Sequence, residues 1–394
     1  MDNNSYYKNK VSILYIINNL VGSKNLLKPY TKLLICVSGG QDSIFLIHIL
    51  YQLKKKWNWK FGVIHCDHQW NSISKLQANY VSQLTRNMNV DYYQAISNKK
   101  ITSEENARDW RYSIIKKIAH YHEYQFIITA HTKNDRVETF LAHLLRGSGM
   151  NGLQSINWEK KIVNKIYTKM FFLINTVLYN INYQEDTYKC IKIQSFTNKI
   201  IRPLLNITRE HIYFLIKSWK STIWYDPTNR FLKMSRNRIR HRLIPYTKFY
   251  FNPKIDQSIF QSTEISFYQN NYLIKISKHL LNQIQLLVLD NKTKKYLALD
   301  FQLLNSLPIF LQREIIKEFL EKNLKIKIMF HQVEYLRLRY FFLKKKYLMN
   351  DYKNNDKNFT KYISITFPQQ NIIKINTRFI LVEYSNKLIK KNNH

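Results

Sequence analysis

Glycine is scarce in this chain. There are seven in 394 residues, none beyond position 152, and five of them fall in two short segments: Gly39-Gly40, then Gly147, Gly149 and Gly152. A glycine kept under such depletion marks a place where a side chain would block a backbone conformation or a ligand's approach. Acidic residues are also few, 26 Asp and Glu against 62 Lys and Arg, a net charge of +36. AT-rich codon bias is one source of that charge; binding a polyanion, with nucleic acid foremost, is the other. The three cysteines, Cys36, Cys66 and Cys190, lie far apart, which argues against a disulfide framework or a CxxC metal site. Long apolar runs are missing too: Met170 to Leu178 is too short to cross a bilayer, so no membrane partner is expected. Met1 to Asn4 carries an early acid and starts no apolar or Arg/Ser-rich leader, so the protein is expected to act where it is made. With 45% hydrophobic residues the chain can bury real cores, in two or three domains.

The first glycine pair follows the apolar run Leu33 to Val37 and precedes the helix-like Ile44 to Leu50. Backbone amides of such a turn and the positive end of the following helix converge on one point, which suits a phosphate. No Gly-Lys-Ser/Thr follows, which excludes a Walker A loop, and the third glycine of a dinucleotide fingerprint is lacking. Ser38-Gly39-Gly40-Gln41-Asp42-Ser43 instead resembles the SGGxDS loop of the ATP pyrophosphatases, which cleave ATP to AMP and pyrophosphate. That resemblance implies that Asp42 holds Mg²⁺ against the pyrophosphate and that Ser38 and Ser43 donate to phosphate oxygens. A Ser/Asp-rich helix cap is the plainer alternative.

Apolar runs alternate with helical periodicity through the first half. The expected strands are Leu33 to Val37, Phe61 to Cys66, Asp91 to Ile96 and Phe126 to Ala130; the expected helices are Ser43 to Lys55, Ser74 to Asn87, Ser103 to His122 and Asp135 to Leu145. That alternation predicts right-handed βαβ units on a doubly wound, mostly parallel sheet, with ligands beyond the carboxyl ends of its strands. Those ends carry the Ser38 loop, His65 to Gln69 and Thr129 to Asp135. Two helical pairs point toward the same cleft. Arg108 and Arg111 share a face and make a cationic clamp, or else a solvated face paired with Glu104, Glu105 or Asp109. Asp135 and Glu138 share a face at a helix start, suited to Mg²⁺ or an ammonium group, or merely to the helix dipole. His65, Asp67 and His68 are spaced like metal ligands, although a strand end at a nucleotide cleft explains them better.

The SGGQDS loop, HCDHQW, ENARDWRY, TAHTKNDRVETFLAHLLRGSGMNGL, RPLLNITREHI and WYDPTNRFLKMSRNRIRHRLIP, in that order over residues 30–250, together resemble the tRNA(Ile)-lysidine synthetase family. The resemblance implies an adenine-nucleotide α-hydrolase-like catalytic fold and a reaction at cytidine 34 of tRNA(Ile) with anticodon CAU. ATP adenylates the oxygen on carbon 2 of the base, and the ε-amine of free L-lysine then displaces AMP. It implies catalytic roles for Asp42, Arg108, Arg111, Asp135 and Glu138, with Arg111 stabilising the adenylated intermediate and Asp135 with Glu138 orienting or deprotonating lysine. It implies ATP contacts from Ser38, Gly39, Gly40, Gln41, Asp42, Ser43, His65 and His131, with Asp42 on Mg²⁺. It places Arg146, Arg202, Arg209, Arg236, Arg238, Arg240 and Arg242 on tRNA. One departure is visible: relatives often carry two successive aspartates where this chain has Asn134-Asp135.

Downstream, six Lys and Arg fall between Asn229 and Arg242. Helical spacing sets Arg236 beside Arg240 and Arg238 beside Arg242, like charges that cost stability unless an anion lies alongside; phosphate backbone is the expected anion. Gly147 is read as a left-handed cap of the helix begun at Asp135. The expected division is a catalytic domain at 1–228 with a surface insertion at about 159–200, a basic linker helix at 229–250, a helical tRNA-binding domain at 251–346, and a small, β-rich C-terminal module at 347–394. Three rivals stay open. Sulfur-adding relatives commonly use paired cysteines, which are missing here; amide-forming relatives have no use for the basic cluster; a non-enzymatic RNA binder has no use for Asp42. A homodimer is an expectation by family analogy alone. Composition points to a plastid-encoded stromal protein, with a bacterial cytoplasm as the alternative.

Overall fold

The computed structural model describes residues 3–69, 73–97, 103–164, 196–219, 224, 231–232, 234–289, 295–350, 363–367, 371–376 and 378–383. Cys190, the run Met170 to Leu178, and Asn229, Arg230 and Lys233 of the basic stretch lie outside them. The chain divides into two compact units, Met1–Phe267 and Tyr268–His394.

The first unit runs α1 (Asn3–Ser23), β1 (Lys32–Cys36), α2 (Gln41–Trp57), β2 (Lys60–Asp67), α3 (Ser74–Asn87), β3 (Asp91–Ile96), α4 (Glu104–Tyr121) and β4 (Phe126–Ile128). It continues with α5 (Lys133–Leu145), α6 (Met150–Leu153), β5 (Glu159–Asn164), β6 (Phe196–Ile201), α7 (Arg209–Ser218), α8 (Ser235–Arg238), a π-helical turn (Ile239–Leu243), α9 (Ile244–Tyr250) and the start of α10 (Ile255–Ile284). Its sheet has the order β3-β2-β1-β4-β6-β5, parallel except for β5. β1 shows why the sheet lies inside: Leu33 and Ile35 enter one apolar core and Leu34 the other, so both faces are covered, as parallel strands require. Leu34 lies in register with Ile127 of β4, which pairs Ile200 of β6, and all three share that second core. Strand order reverses at β1, whose neighbours are β2 and β4; at such a switch point the loops after β1 and β4 part and leave a crevice.

The expected parallel α/β sheet is present, and the structure extends it. Helix α1, absent from the expected set, buries Ile13, Ile17 and Val21, spaced by four, against the first core. Both ends of the expected surface insertion are strands. β6 sits inside the sheet beside β4, and β5 closes its edge with exposed Lys160 and Lys161, a Lys-rich composition that suits an edge strand and hides its periodicity. The rest of the insertion, 165–195, lies outside the described residues.

In the second unit, β7 (Gln285–Leu289), β8 (Lys295–Asp300), β9 (Ile363–Phe367), β10 (Asn371–Ile375) and β11 (Phe379–Glu383) form an antiparallel sheet ordered β7-β8-β11-β10-β9. Its core joins Ile373, Ile375, Ile380 and Val382 to apolar residues of α11 (Phe301–Asn305), α12 (Ile309–Leu324) and α13 (Phe330–Asn350). The expected boundary between a helical domain and a β module at 346/347 therefore does not appear. Ile380 pairs Leu299 across the sheet, so strands from both expected domains share one core. The expected cut at 250/251 falls instead within α10, at Phe267.

Candidate functional site

The turn after β1 is shaped by its own side chains. Gly39 has φ +83°, a left-handed conformation that a side chain resists, and a Cβ there would stand 3.1 Å from Gln77. The Ser43 hydroxyl donates to the Gly40 carbonyl at 2.8 Å and lies 3.2 Å from the Ser38 hydroxyl, while Gly40 caps the start of α2. Ser43 thus spends its proton inside the loop in this state, and Ser38 stays exposed. The side chain of Gln41 reaches across and donates to the carbonyl of Arg209 at 3.0 Å.

Three carboxylates converge behind this turn: Asp42 from the first turn of α2, and Asp135 and Glu138 from the first turns of α5. One guanidinium joins them. Arg209, at the start of α7, donates through Nε to Asp42 at 3.1 Å, through Nη1 to Glu138 at 2.8 Å and through Nη2 to Asp135 at 2.5 Å. Arg236 donates to Glu138 at 2.8 Å and to Asp135 at 2.5 Å, and Arg240 donates to Glu138 at 2.7 and 3.0 Å. The second Asp135 oxygen accepts from the Thr132 amide and hydroxyl, both at 2.8 Å, which locks the first turn of α5. Asn134, standing where relatives often carry the first of two aspartates, accepts the Arg209 amide at 2.9 Å. A neutral amide oxygen does that work as well as a carboxylate, so the departure leaves Arg209 positioned.

Burial and charge act against each other here. Burial pushes the Asp42 carboxyl up to about 6, opposed by the Arg209 guanidinium and reinforced by Asp135. Burial presses the same way on Asp135 and Glu138, but the arginines outweigh it and hold both carboxyls below the usual range. One Asp42 oxygen, Oδ1, is buried and lacks a hydrogen-bond partner among the described residues. A buried carboxylate oxygen left open beside a phosphate-sized turn fits a divalent cation.

The remaining expected residues fall around this centre. His65 is buried with Nδ1 2.9 Å from the Val37 carbonyl, so that nitrogen carries the proton, and burial keeps the ring neutral. His131 bonds Thr129 at 2.9 Å, and burial drives it down to about 3, so it too is neutral. Asp67 accepts from the Gln69 amide at 2.7 Å, and among the described residues no group of three or more acids, histidines and cysteines is set to hold a metal. Arg111 donates to the Ala107 carbonyl, and its positive charge opposes the burial that lifts the Cys66 thiol to about 12, which places it near the β2 end. Arg108 is exposed beside Tyr112; among the described residues neither arginine forms an ion pair with Glu104, Glu105 or Asp109.

The basic cluster divides. Arg236 and Arg240 turn inward, so the anion relieving their repulsion is Asp135 with Glu138, a correction to the expected phosphate backbone in this state. Arg238 and Arg242 turn outward and are exposed. Arg202 is buried and donates to the Asn157 carbonyl. Arg146 is exposed at the end of α5, where Gly147 at φ +71° makes the left-handed cap. The spacing of Arg236 and Arg240 demanded an anion; that its source was α5, about a hundred residues upstream, was not visible from the sequence.

Residues 10–247 match the PP-loop domain family. A chloroplastic tRNA(Ile)-lysidine synthase from Zygnema circumcarinatum is 37% identical over 382 residues, covering 94% of this chain and 90% of the relative. The chain belongs to the tRNA(Ile)-lysidine synthase family. The synthase of Nostoc sp. is 33% identical, with 81% of this chain and 86% of the relative covered. Among solved structures, the U34-tRNA thiolase of Methanococcus maripaludis is similar over 66% of this chain and 78% of its own, at 13% identity and TM-score 0.48. Within the matched PP-loop domain, the SGGxDS-like turn Ser38 to Ser43 lies at the switch point of the sheet.

Proposed function

We propose that the protein is a tRNA-modifying ligase that forms lysidine at cytidine 34 of tRNA(Ile) bearing the CAU anticodon. The single observation that carries this reading is the convergence of Asp42, Asp135 and Glu138 behind a PP-loop in a chain of this family. In the first step the C2 oxygen of the base attacks the α-phosphorus of ATP, and the bond to the β-phosphate breaks to release pyrophosphate. In the second, the lysine ε-amine attacks carbon 2 and AMP leaves with the bonding pair. The product pairs with A instead of G, so decoding moves from AUG to AUA.

Asp42 is the residue suited to Mg²⁺, through the oxygen left without a partner. Mg²⁺ supplies charge neutralisation for the departing pyrophosphate. The Gly39-Gly40 turn and the α2 N-terminus cradle phosphate, with Ser38, Gln41 and Ser43 shaping the turn and neutral His65 and His131 at the neighbouring strand ends. Arg108 and Arg111 stand where negative charge develops. Asp135 and Glu138, ionised and neutralised by arginine, take the lysine ammonium when it replaces guanidinium contacts, and they orient the amine for attack. Of the arginines expected on tRNA, exposed Arg146, Arg238 and Arg242 supply the charge that meets RNA. Chloroplastic and cyanobacterial relatives support a plastid stroma as the place of action, and no described helix is long and apolar enough to cross a membrane.

The test incubates the protein with ATP, Mg²⁺, radiolabelled lysine and transcripts of either tRNA(Ile) with CAU or the initiator tRNA. Alkali-stable label on the isoleucine transcript alone is expected. Pyrophosphate release without stable label on either transcript would move the reading to another nucleophile.

A further inference from the structure

The outward side of the α8–π–α9 helix carries an apolar groove of about 440 Å³ lined by Leu145, Arg238, Ile239, Arg242, Leu243 and Tyr246. It is continuous with an aromatic cluster. The Tyr246 ring lies 4.7 Å from Tyr250 and 6.1 Å from Phe251, and Phe249 lies 4.8 Å from Tyr250. These four rings are 54–81% exposed. Among the described residues neither Arg238 nor Arg242 forms an ion pair, whereas Arg236 and Arg240 on the inward side are fully engaged by Asp135 and Glu138.

We propose that this groove and its aromatic cluster form a stacking platform for the unpaired nucleotides that flank the reacting base, with Arg238 and Arg242 on their phosphates. The inference rests on RNA being the substrate and goes beyond it by naming where single-stranded bases lie. Three observations favour unpaired RNA. Exposed rings beside cations match the pairing of base faces with backbone charge that single strands present. A second copy of this chain would set Arg238 and Arg242 against their own equivalents, like charge on like charge. Leu145 lies seven residues along α5 from Glu138, roughly 10 Å at the helical rise, so the groove lies within the reach of a nucleotide or two of the carboxylates.

Binding of a hairpin with an unpaired CAU loop is compared with a blunt, fully paired duplex of equal charge, by fluorescence anisotropy across a salt series. Tyr246→Ala is expected to weaken hairpin binding about tenfold without changing the salt slope or duplex binding, and Tyr246→Phe to restore it. Arg238→Ala with Arg242→Ala is expected to reduce the salt slope by about 2. Phe249→Ala, at the most exposed ring, repeats the test where no folding defect follows. Parent-like hairpin affinity in both Tyr246→Ala and Phe249→Ala would overturn the platform, as would variants that change mass in light scattering or affinity for anionic vesicles and not for hairpin. If the parent makes no lysidine yet binds the hairpin through Tyr246, the platform stands and the proposed reaction falls. If the parent makes lysidine and Tyr246→Ala does so with unchanged KM for tRNA, the platform alone falls.

Discussion

Asp42 is the residue at which function and stability oppose each other most directly. Its carboxyl titrates at about 6, above the ordinary value near 4, so the folded state binds its proton more tightly than the unfolded chain does. That contribution is complete at low pH and is lost as pH rises from about 4 through 6. Asp42→Asn is therefore expected to be more stable than the parent above pH 6, by about 1 kcal/mol once the weakened Arg209 contact is offset, in urea titration, while releasing no pyrophosphate. For the parent, pyrophosphate release at low Mg²⁺ should rise through pH 6 if Asp42 holds the cation as proposed, because the cation needs the ionised carboxylate. Arg209→Ala should move that midpoint upward, since it removes the charge that opposes burial; an unmoved midpoint would separate Arg209 from Asp42 chemistry. Asp135 and Glu138 behave in the opposite sense. Their depressed values contribute stability above about 4.5 that is lost as pH falls. Glu138 is 1% exposed and accepts from three arginines, so Glu138→Gln leaves guanidinium charge uncompensated and should cost about 3 kcal/mol.

At the scale of elements, two glycines separate folding from ligand recognition. Gly62 in β2 faces the Tyr124 ring so closely that a Cβ would collide with its hydroxyl. Gly62→Ala should cost about 1–3 kcal/mol in thermal unfolding while leaving the KM for ATP near that of the parent. Gly39→Ala should instead raise that KM, with a smaller stability loss, because it distorts the turn proposed to receive phosphate. Equal effects of the two on KM would remove the distinction. Strands β1 to β4 were legible because buried parallel strands are short apolar runs between helices of clear period. β5 and β6 were not, since Lys160, Lys161, Asn198 and Lys199 break the pattern. Asn198 is nevertheless buried, its amide donating to the Tyr124 carbonyl at 2.7 Å, a long-range partner that no local pattern signals.

For the whole molecule, +36 of charge makes RNA affinity a function of salt. The logarithm of the tRNA association constant should fall linearly with the logarithm of salt concentration, losing more than tenfold between about 50 and 200 mM; a flat dependence would mean that the charge is compositional drift. The two cores also answer to different segments of chain, and α10 runs through the division at Phe267. The sequence by itself determined the PP-loop, its place after the first strand, the α/β order and the residue types of the site, because these depend on local turn chemistry and periodicity. Tertiary structure alone decided that Arg209, Arg236 and Arg240 turn onto Asp42, Asp135 and Glu138 while Arg238 and Arg242 face outward. It also decided that strands about eighty residues apart close one sheet in the second unit. The reason is the same in both cases: a buried charge or a strand edge takes whatever partner the packed chain brings near, and that partner's distance in sequence leaves no local mark.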